Sequence, residues 1–157
     1  MSSYLTFYLV PKKTKKKYDF SKDDGSSEIE VELSKGEPLC LMSYSRSSDV
    51  YQTYVDTLNP AYCGMEEKYT EVTYEDSKRV CKEFEEEMKE TKQRLEIDYK
   101  MLKEGGYNSD LYEDIQSFEK YLAEQKASLE ELKSISSLVY EVTEGYTDFE
   151  KVLINVD

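Results

Sequence analysis

The fold is decided by residues 73–142, TYEDSKRVCKEFEEEMKETKQRLEIDYKMLKEGGYNSDLYEDIQSFEKYLAEQKASLEELKSISSLVYEV, in which two amphipathic segments flank the breaker Gly105-Gly106-Tyr107-Asn108-Ser109. Seam residues recur in both segments at alternating intervals of three and four, the heptad pattern of packed helices. In the first segment they are Tyr74, Ser77, Cys81, Phe84, Met88, Thr91, Leu95, Asp98 and Leu102. In the second they are Leu111, Ile115, Phe118, Leu122, Gln125, Leu129, Leu132, Ser136 and Val139. The pattern predicts a long helical hairpin.

A single register fits both segments of this hairpin. Folding the chain back at the two glycines pairs Leu95 with Phe118 and, in the same register, Phe84 with Leu129. Helices of about 30 residues reach roughly 45 Å at 1.5 Å per residue, which is longer than a compact domain of this size needs. We therefore expect the hairpin, residues 73–142, to project from a body.

The ends of the two helices carry recognisable signals. Thr73 is predicted to cap the first helix, with Asp76 three positions later, and Asp110 to cap the second, with Glu113. Gly105 is predicted to supply the left-handed residue that closes the first helix.

Three polar residues, Thr91, Asp98 and Gln125, interrupt the apolar seam. The seam itself is interpreted as a core contact. The polar positions have two readings: they fix the register of the two helices, or they mark where another chain packs.

The body is predicted from residues 1–72 and 143–157, which with the hairpin form a single domain. Apolar residues alternate over 3–10, 28–33 and 39–44, and the spacing predicts a three-stranded antiparallel meander. Residues 50–58 are predicted to form a short helix ended by Asn59-Pro60, and 69–72 a short strand. Residues 149–156 read as a last strand that joins the sheet. The predicted fold class is α+β: a small antiparallel sheet, one short helix and the long hairpin.

Charge and composition bound the function. The 157 residues carry a net charge of −13. Residues 1–22 contain six lysines and one aspartate, about +5, so the remainder carries about −18. An acidic surface of this kind repels nucleic acid and favours basic protein surfaces, although acidity also serves solubility. Tyrosine is abundant and tryptophan absent, a mixture whose composition resembles that of small accessory proteins of bacteriophages and mobile elements.

No catalytic or cofactor motif is present. The chain has no histidine, which excludes Ser-His-Asp and Cys-His nucleophile pairs and the ordinary zinc sites. Cys40, Cys63 and Cys81 are far apart, so we expect reduced thiols, with Cys40 and Cys81 as small buried residues. We predict no enzyme, no cofactor and no metal. An enzyme built on clustered carboxylates is the remaining catalytic alternative.

Two short segments are candidates for ion binding. Lys12, Lys13, Lys15, Lys16 and Lys17 crowd one polar stretch of 12–25. That stretch is predicted to be a solvated loop, or alternatively a contact for a phosphate backbone or an acidic partner. Arg46, Ser47 and Ser48 precede a helix, where an anion could bind, although a plain capping role for Ser47 or Ser48 is the simpler interpretation.

The leading hypothesis is a non-enzymatic protein of phage or mobile-element type that binds a host protein. It would inhibit a nucleic-acid-binding enzyme by acidic mimicry or steric block, as an anti-defence protein of the anti-CRISPR kind does. The alternative is a phage structural or assembly protein whose hairpin packs against copies of itself. The predicted partner-binding residues are Glu83, Glu86, Glu87, Glu90, Tyr99, Tyr112 and Tyr121.

The chain contains no apolar run of roughly 20 residues, and its first residues lack the features of a signal peptide. We therefore expect a cytoplasmic protein that does not bind membranes. Direct nucleic-acid binding is expected only through the lysine-rich stretch.

Overall fold

The computed structural model describes residues 3–12, 15–19, 28–32, 38–60 and 69–157, with the backbone alone for 15–19 and 28–32. Six strands and three helices occupy these ranges. The strands are β1 (Tyr4–Pro11), β2 (Lys15–Asp19), β3 (Glu28–Glu32), β4 (Leu39–Ser45), β5 (Thr70–Val72) and β6 (Phe149–Val156). The helices are α1 (Asp49–Leu58), α2 (Tyr74–Gly105) and α3 (Ser109–Thr143). The predicted α+β class is confirmed.

Four strands form one antiparallel sheet in the order β4-β1-β6-β5. The predicted last strand, β6, lies inside this sheet, with Leu5 of β1 opposite Val156 and Val72 of β5 opposite Val152. The short strand predicted near residue 70 is confirmed as β5, which is the edge beyond β6. The sequence therefore returns at its far end to cover the first strand.

The predicted three-stranded meander is wrong. β3 does not join the main sheet but pairs with β2 in a separate two-stranded sheet, where Tyr18 lies opposite Ile29. Residues 15–19, predicted as part of a loop, are therefore a strand. The dipeptide Asp24-Gly25, which is frequent in hairpin turns, was a signal in the sequence for a hairpin in this region. The side chains of the alternating stretch 28–33 lie outside the described residues.

The short helix begins and ends as predicted. Ser48 caps it, and its hydroxyl accepts a hydrogen bond from Tyr51 N at 3.1 Å. Asn59 ends it in the left-handed conformation, with φ of 45°, directly before Pro60. Asparagine tolerates this conformation better than most residues, and the proline that follows prevents further helix.

The predicted hairpin is confirmed as α2 and α3. In α2 every fully buried residue but one belongs to the predicted seam: Ser77, Phe84, Met88, Thr91, Leu95 and Asp98. The exception is Val80, which is buried although Cys81 was the predicted seam residue. Cys81 itself is only half-buried. The hydroxyls of Ser77 and Ser136 lie 3.0 Å apart, and these two residues face each other in the predicted register.

Two of the predicted helix-end signals need correction. Thr73 forms a complete capping box with Asp76, as predicted. The second helix is instead capped by Asn108, whose side chain accepts hydrogen bonds from Asp110 N and Leu111 N. Gly105 remains helical, and the residue that ends the helix is Gly106, which has a positive φ of 73° but not the predicted left-handed helical conformation. Both corrections shift the turn by one or two residues, which is the usual uncertainty of helix boundaries.

The core lies between one face of the four-stranded sheet, α1 and the near half of the hairpin. Its largest fully buried side chains include Phe7 of β1, Tyr54 of α1, and Phe84 and Leu132 of the hairpin. The Phe7 and Tyr54 rings meet edge to face with centroids 5.1 Å apart. Tyr44 also ties β4 to α3, since its hydroxyl donates to Glu131 at 2.6 Å. None of the three described helices carries an apolar stretch of membrane-spanning length.

Neither of the two described cysteines is fully buried as predicted. Cys40 lies in the predicted strand but is exposed, because β4 is an edge strand and residue 40 lies near its start. Cys81 is half-buried against α3, and burial raises the pKa of its thiol. Both are free thiols, and Cys63 lies outside the described residues.

Candidate protein-binding face

Five carboxylates from two helices gather on one side of the molecule. Asp49 and Asp56 are seven residues apart on α1, and Glu83, Glu87 and Glu90 follow at intervals of four and three on α2. Residues at these intervals share one face of a helix, and α1 packs against α2 with these faces adjacent. We call these five residues the acidic cluster.

A shallow cavity marks the seam between α1 and α2. It has a volume of about 310 Å³ and is lined by Thr53, Asp56, Thr57, Arg79, Glu83 and Glu87. Tyr51 and Tyr54 of α1 are buried in the core and anchor α1 beside α2. This packing keeps the acidic cluster next to the cavity.

The carboxylates of the cluster repel one another. The pKa of Glu87 is raised, first by its partial burial between the helices and then by the negative charges of Asp49, Asp56, Glu90 and Glu83. A raised carboxyl pKa means that its environment disfavours the charged form.

Among the described residues, the cation that lines the cavity is Arg79, and its ion pair is with Asp76, outside the cluster. The salt bridges seen in the described ranges join Arg79 to Asp76 and Arg94 to Asp98, so neither contains a member of the cluster. Asp49 accepts one hydrogen bond, from Ser128 Oγ at 2.8 Å, but serine brings no positive charge. The cluster thus presents concentrated negative charge to whatever approaches it.

The predicted glutamates are only partly brought together. Glu83, Glu87 and Glu90 lie in the cluster. Glu86 lies three residues from Glu83 and four from Glu90 on α2, but it does not line the cavity between α1 and α2. It is not among the charges that act on Glu87.

The three predicted tyrosines are exposed but do not form one surface. Tyr99, 45% exposed, donates a hydrogen bond from its hydroxyl to Glu119 across the two helices, and this bond raises the pKa of Tyr99. Tyr121 lies about 200° around α3 from Glu119, so it belongs to the opposite face of the hairpin. Tyr112 lies at the hairpin end, where its ring is 6.3 Å from that of Tyr107.

Sequence reasoning missed Asp49 and Asp56. Their spacing of seven residues on a predicted helix is a visible signal that they share a face. The sequence does not show that this face lies against the glutamates of α2, because that depends on how α1 packs.

The weaker predicted sites are placed as follows. The capping interpretation of Ser48 is confirmed, and Ser47 Oγ lies 3.1 Å from Ser45 Oγ. Asp49 occupies the first turn of α1, where its carboxylate would oppose an anion. Anion binding by Arg46, Ser47 and Ser48 stays a prediction.

The lysine-rich stretch is described only in part. Lys12 is exposed, and its Nζ donates to the carbonyl oxygen of Gly145 at 3.3 Å. Lys15, Lys16 and Lys17 form the start of β2, while Lys13 and all side chains of β2 lie outside the described residues.

The described residues contain no group of three or more Cys, Asp or Glu side chains placed to hold a metal ion. No protein-family model, curated protein or solved structure matches the chain.

Proposed function

We propose that this protein is a non-enzymatic binding protein that attaches its acidic cluster to a basic surface of another protein. The partner surface is one that otherwise holds a nucleic-acid backbone, so binding blocks it. This role is that of an inhibitory accessory protein of phage or mobile-element type. The observation that carries the proposal is the gathering of five carboxylates from two separate helices without a salt bridge to any of them among the described residues.

The position and the number of the negative charges in the acidic cluster support a protein partner. Nucleic acid is repelled by this surface, whereas a groove lined with lysine and arginine is attracted to it. Charges on a rigid helix pair also hold their spacing, so less ordering accompanies binding than for carboxylates on a flexible tail.

The internal repulsion supports the same proposal. Like charges at close range destabilise the free protein, and a basic partner relieves that repulsion when it binds. Residues kept at a cost in stability are typical of binding sites, because stability and function often place opposite demands on a site.

The proposal is tested by neutralising the cluster and measuring partner capture. The immobilised protein is exposed to a bacterial lysate, and retained proteins are identified by mass spectrometry. We expect a nucleic-acid-binding protein that is released by salt and displaced by added DNA or RNA. The triple variant Glu83→Gln, Glu87→Gln, Glu90→Gln is expected to lose this capture, since screened long-range attraction drives the encounter.

A matched control neutralises three exposed carboxylates elsewhere. Glu113, Glu130 and Glu141 lie on α3 outside the cluster. Their replacement by glutamine changes the net charge equally, so capture is expected to persist. Equal loss in both triple variants would show that only net charge matters, and capture that survives neutralisation of the cluster would refute the proposal.

A further inference from the structure

Three large apolar side chains lie exposed beyond the acidic cluster, toward the turn of the hairpin. Ile97 and Met101 of α2 are 56% and 54% exposed, and Tyr121 of α3 is 44% exposed. We call these three residues the apolar face. Isolated exposed apolar residues are ordinary, but a set that continues a charged binding face is informative.

The apolar face continues the face on which α1 lies. Ile97 follows Glu83 and Glu90 at intervals of seven residues, nearly two helical turns, so the three share one side of α2. On α3 the same interval separates Tyr121 from Ser128, which bonds to Asp49 of α1. The side of the hairpin that α1 covers near the body is therefore the side that the apolar face leaves open.

Among the described elements, none covers Ile97, Met101 and Tyr121 on this side of the hairpin. α1 runs antiparallel to α2, since its Asp49 end lies beside Ser128, whereas Asp56 and Thr57 lie beside Arg79. Past the first residues of α1, the hairpin continues from about residue 90 to residue 105. At 1.5 Å per residue this is about 22 Å, the length of a helix of about 15 residues.

We infer that a partner helix docks here, in line with α1, and completes a three-helix arrangement along the hairpin. The partner helix is amphipathic and basic: its apolar stripe contacts Ile97, Met101 and Tyr121, and its lysines or arginines reach the acidic cluster. Helix-in-groove recognition works through such apolar anchors at helical spacing. This inference rests on the proposed function and names the kind of partner surface.

Charge argues against a second copy of this chain as the occupant. Residues 109–124 carry the carboxylates Asp110, Glu113, Asp114, Glu119 and Glu124, and one cation, Lys120. A two-fold arrangement of two apolar faces would set these residues, or the acidic cluster itself, against carboxylates of the other copy. Like charges that meet across an interface oppose association. A basic helix is attracted by these carboxylates, and Arg94, the cation seven residues before Met101 on α2, is paired with Asp98 at 3.6 Å.

The inference is tested with two synthetic helical peptides of 15 residues, each labelled with fluorescein. The first has leucines at alternating spacings of three and four flanked by lysines, and the second has every leucine replaced by glutamine at the same charge. Fluorescence anisotropy gives the affinity of the full chain for each. We expect the leucine peptide to bind at least tenfold tighter than the glutamine peptide.

Two variants test whether the leucine peptide binds to the apolar face. Ile97→Gln combined with Met101→Gln keeps good helix formers on an exposed surface, and circular dichroism verifies folding. This variant is expected to bind the leucine peptide about tenfold more weakly and the glutamine peptide unchanged. Tyr146→Gln, at a side chain 72% exposed outside the hairpin, is the matched control and is expected to bind both peptides normally.

The outcomes separate this inference from the proposed function. Equal binding of both peptides, abolished by Glu83→Gln, Glu87→Gln, Glu90→Gln, would overturn helix docking and leave the acidic face standing. Binding that ignores both the triple variant and salt would overturn both. Sedimentation equilibrium tests whether a second copy of the chain occupies the apolar face. A dimer that dissociates when Ile97→Gln and Met101→Gln are combined would show that a second copy docks there and would overturn the inference.

Discussion

Glu87 is the residue at which the balance between stability and binding is most directly measured. Its carboxyl pKa is raised by partial burial and by the nearby charges of Asp49, Asp56, Glu90 and Glu83. When a folded-state pKa lies above the unfolded value, ionisation opposes folding. The unfavourable contribution of Glu87 is therefore present above the folded pKa and is lost as the pH falls below the unfolded value.

Glu87→Gln is expected to stabilise the protein at pH 7 by about 0.5 kcal/mol, a modest amount because exposed charges are screened. The gain should shrink as the pH falls toward about 4, where glutamate is protonated in both states. Urea unfolding at several pH values measures it. Glu113→Gln is the control, and a Glu87→Gln variant less stable than the wild type at pH 7 would contradict the expected repulsion.

At the scale of elements, the hairpin register is the feature most open to direct measurement. Ser77 Oγ and Ser136 Oγ are 3.0 Å apart, so the two side chains meet across the seam and cysteine sulfurs at these positions lie close together. With Cys40, Cys63 and Cys81 replaced by serine, Ser77→Cys with Ser136→Cys is expected to oxidise readily. The closed loop is long, so the crosslink should stabilise the protein by about 4 kcal/mol in the chain-entropy account.

Thiol titration and thermal unfolding, with and without reductant, measure the crosslink. Leu95→Cys with Phe118→Cys examines the same register nearer the turn, where the Arg94 guanidinium lies over the Phe118 ring. Ser77→Cys with Tyr140→Cys is displaced by one helical turn. More efficient oxidation of this displaced pair than of Ser77 with Ser136 would contradict the register.

The elements also show what a sequence reveals and what it does not. The hairpin was predictable because heptad spacing and a Gly-Gly turn are local features, and its seam positions from Phe84 to Asp98 follow from them. The strand that pairs with β3 was not predictable. Alternation shows that a strand has two different faces, but it does not show which strand lies beside it.

The candidate site was predictable only along one helix. Glu83, Glu87 and Glu90 share a face by spacing alone, whereas Asp49 and Asp56 join them through the packing of α1 on α2. Ile97 and Met101 passed unnoticed because an exposed apolar residue acquires meaning only from its neighbours in space. Non-local contacts are the part of the fold that periodicity does not report.

For the molecule as a whole, β6 is the element that holds the body together. It lies between β1 and β5 in the sheet, and it also packs on α3. Ile154 is fully buried in this strand and faces Phe7 across the ladder. A change at this position therefore affects the sheet and the helices at once.

Ile154→Ala is expected to destabilise the whole protein by about 3 kcal/mol, because it removes buried methyl groups and leaves a cavity in a packed core. Urea denaturation followed by circular dichroism measures the loss. Leu153→Ala is the matched control: the neighbouring side chain points to the other face of the sheet and is half-buried, so a smaller loss is expected. Equal losses would contradict the placement of the core on one face.

The pairing of β1 with β6 joins the two ends of the sequence, and we expect this to affect the order in which the protein folds. Tyr4 and Asp157, joined by a hydrogen bond of 2.8 Å, are 153 positions apart, while the two helices of the hairpin meet through a short turn. Contacts between distant positions close late and slow folding, whereas local helical contacts form quickly. During synthesis, residues 73–143 leave the ribosome before residues 149–156. We therefore expect the hairpin to form first, with Val139 and Val142 exposed to solvent until the last strand covers them.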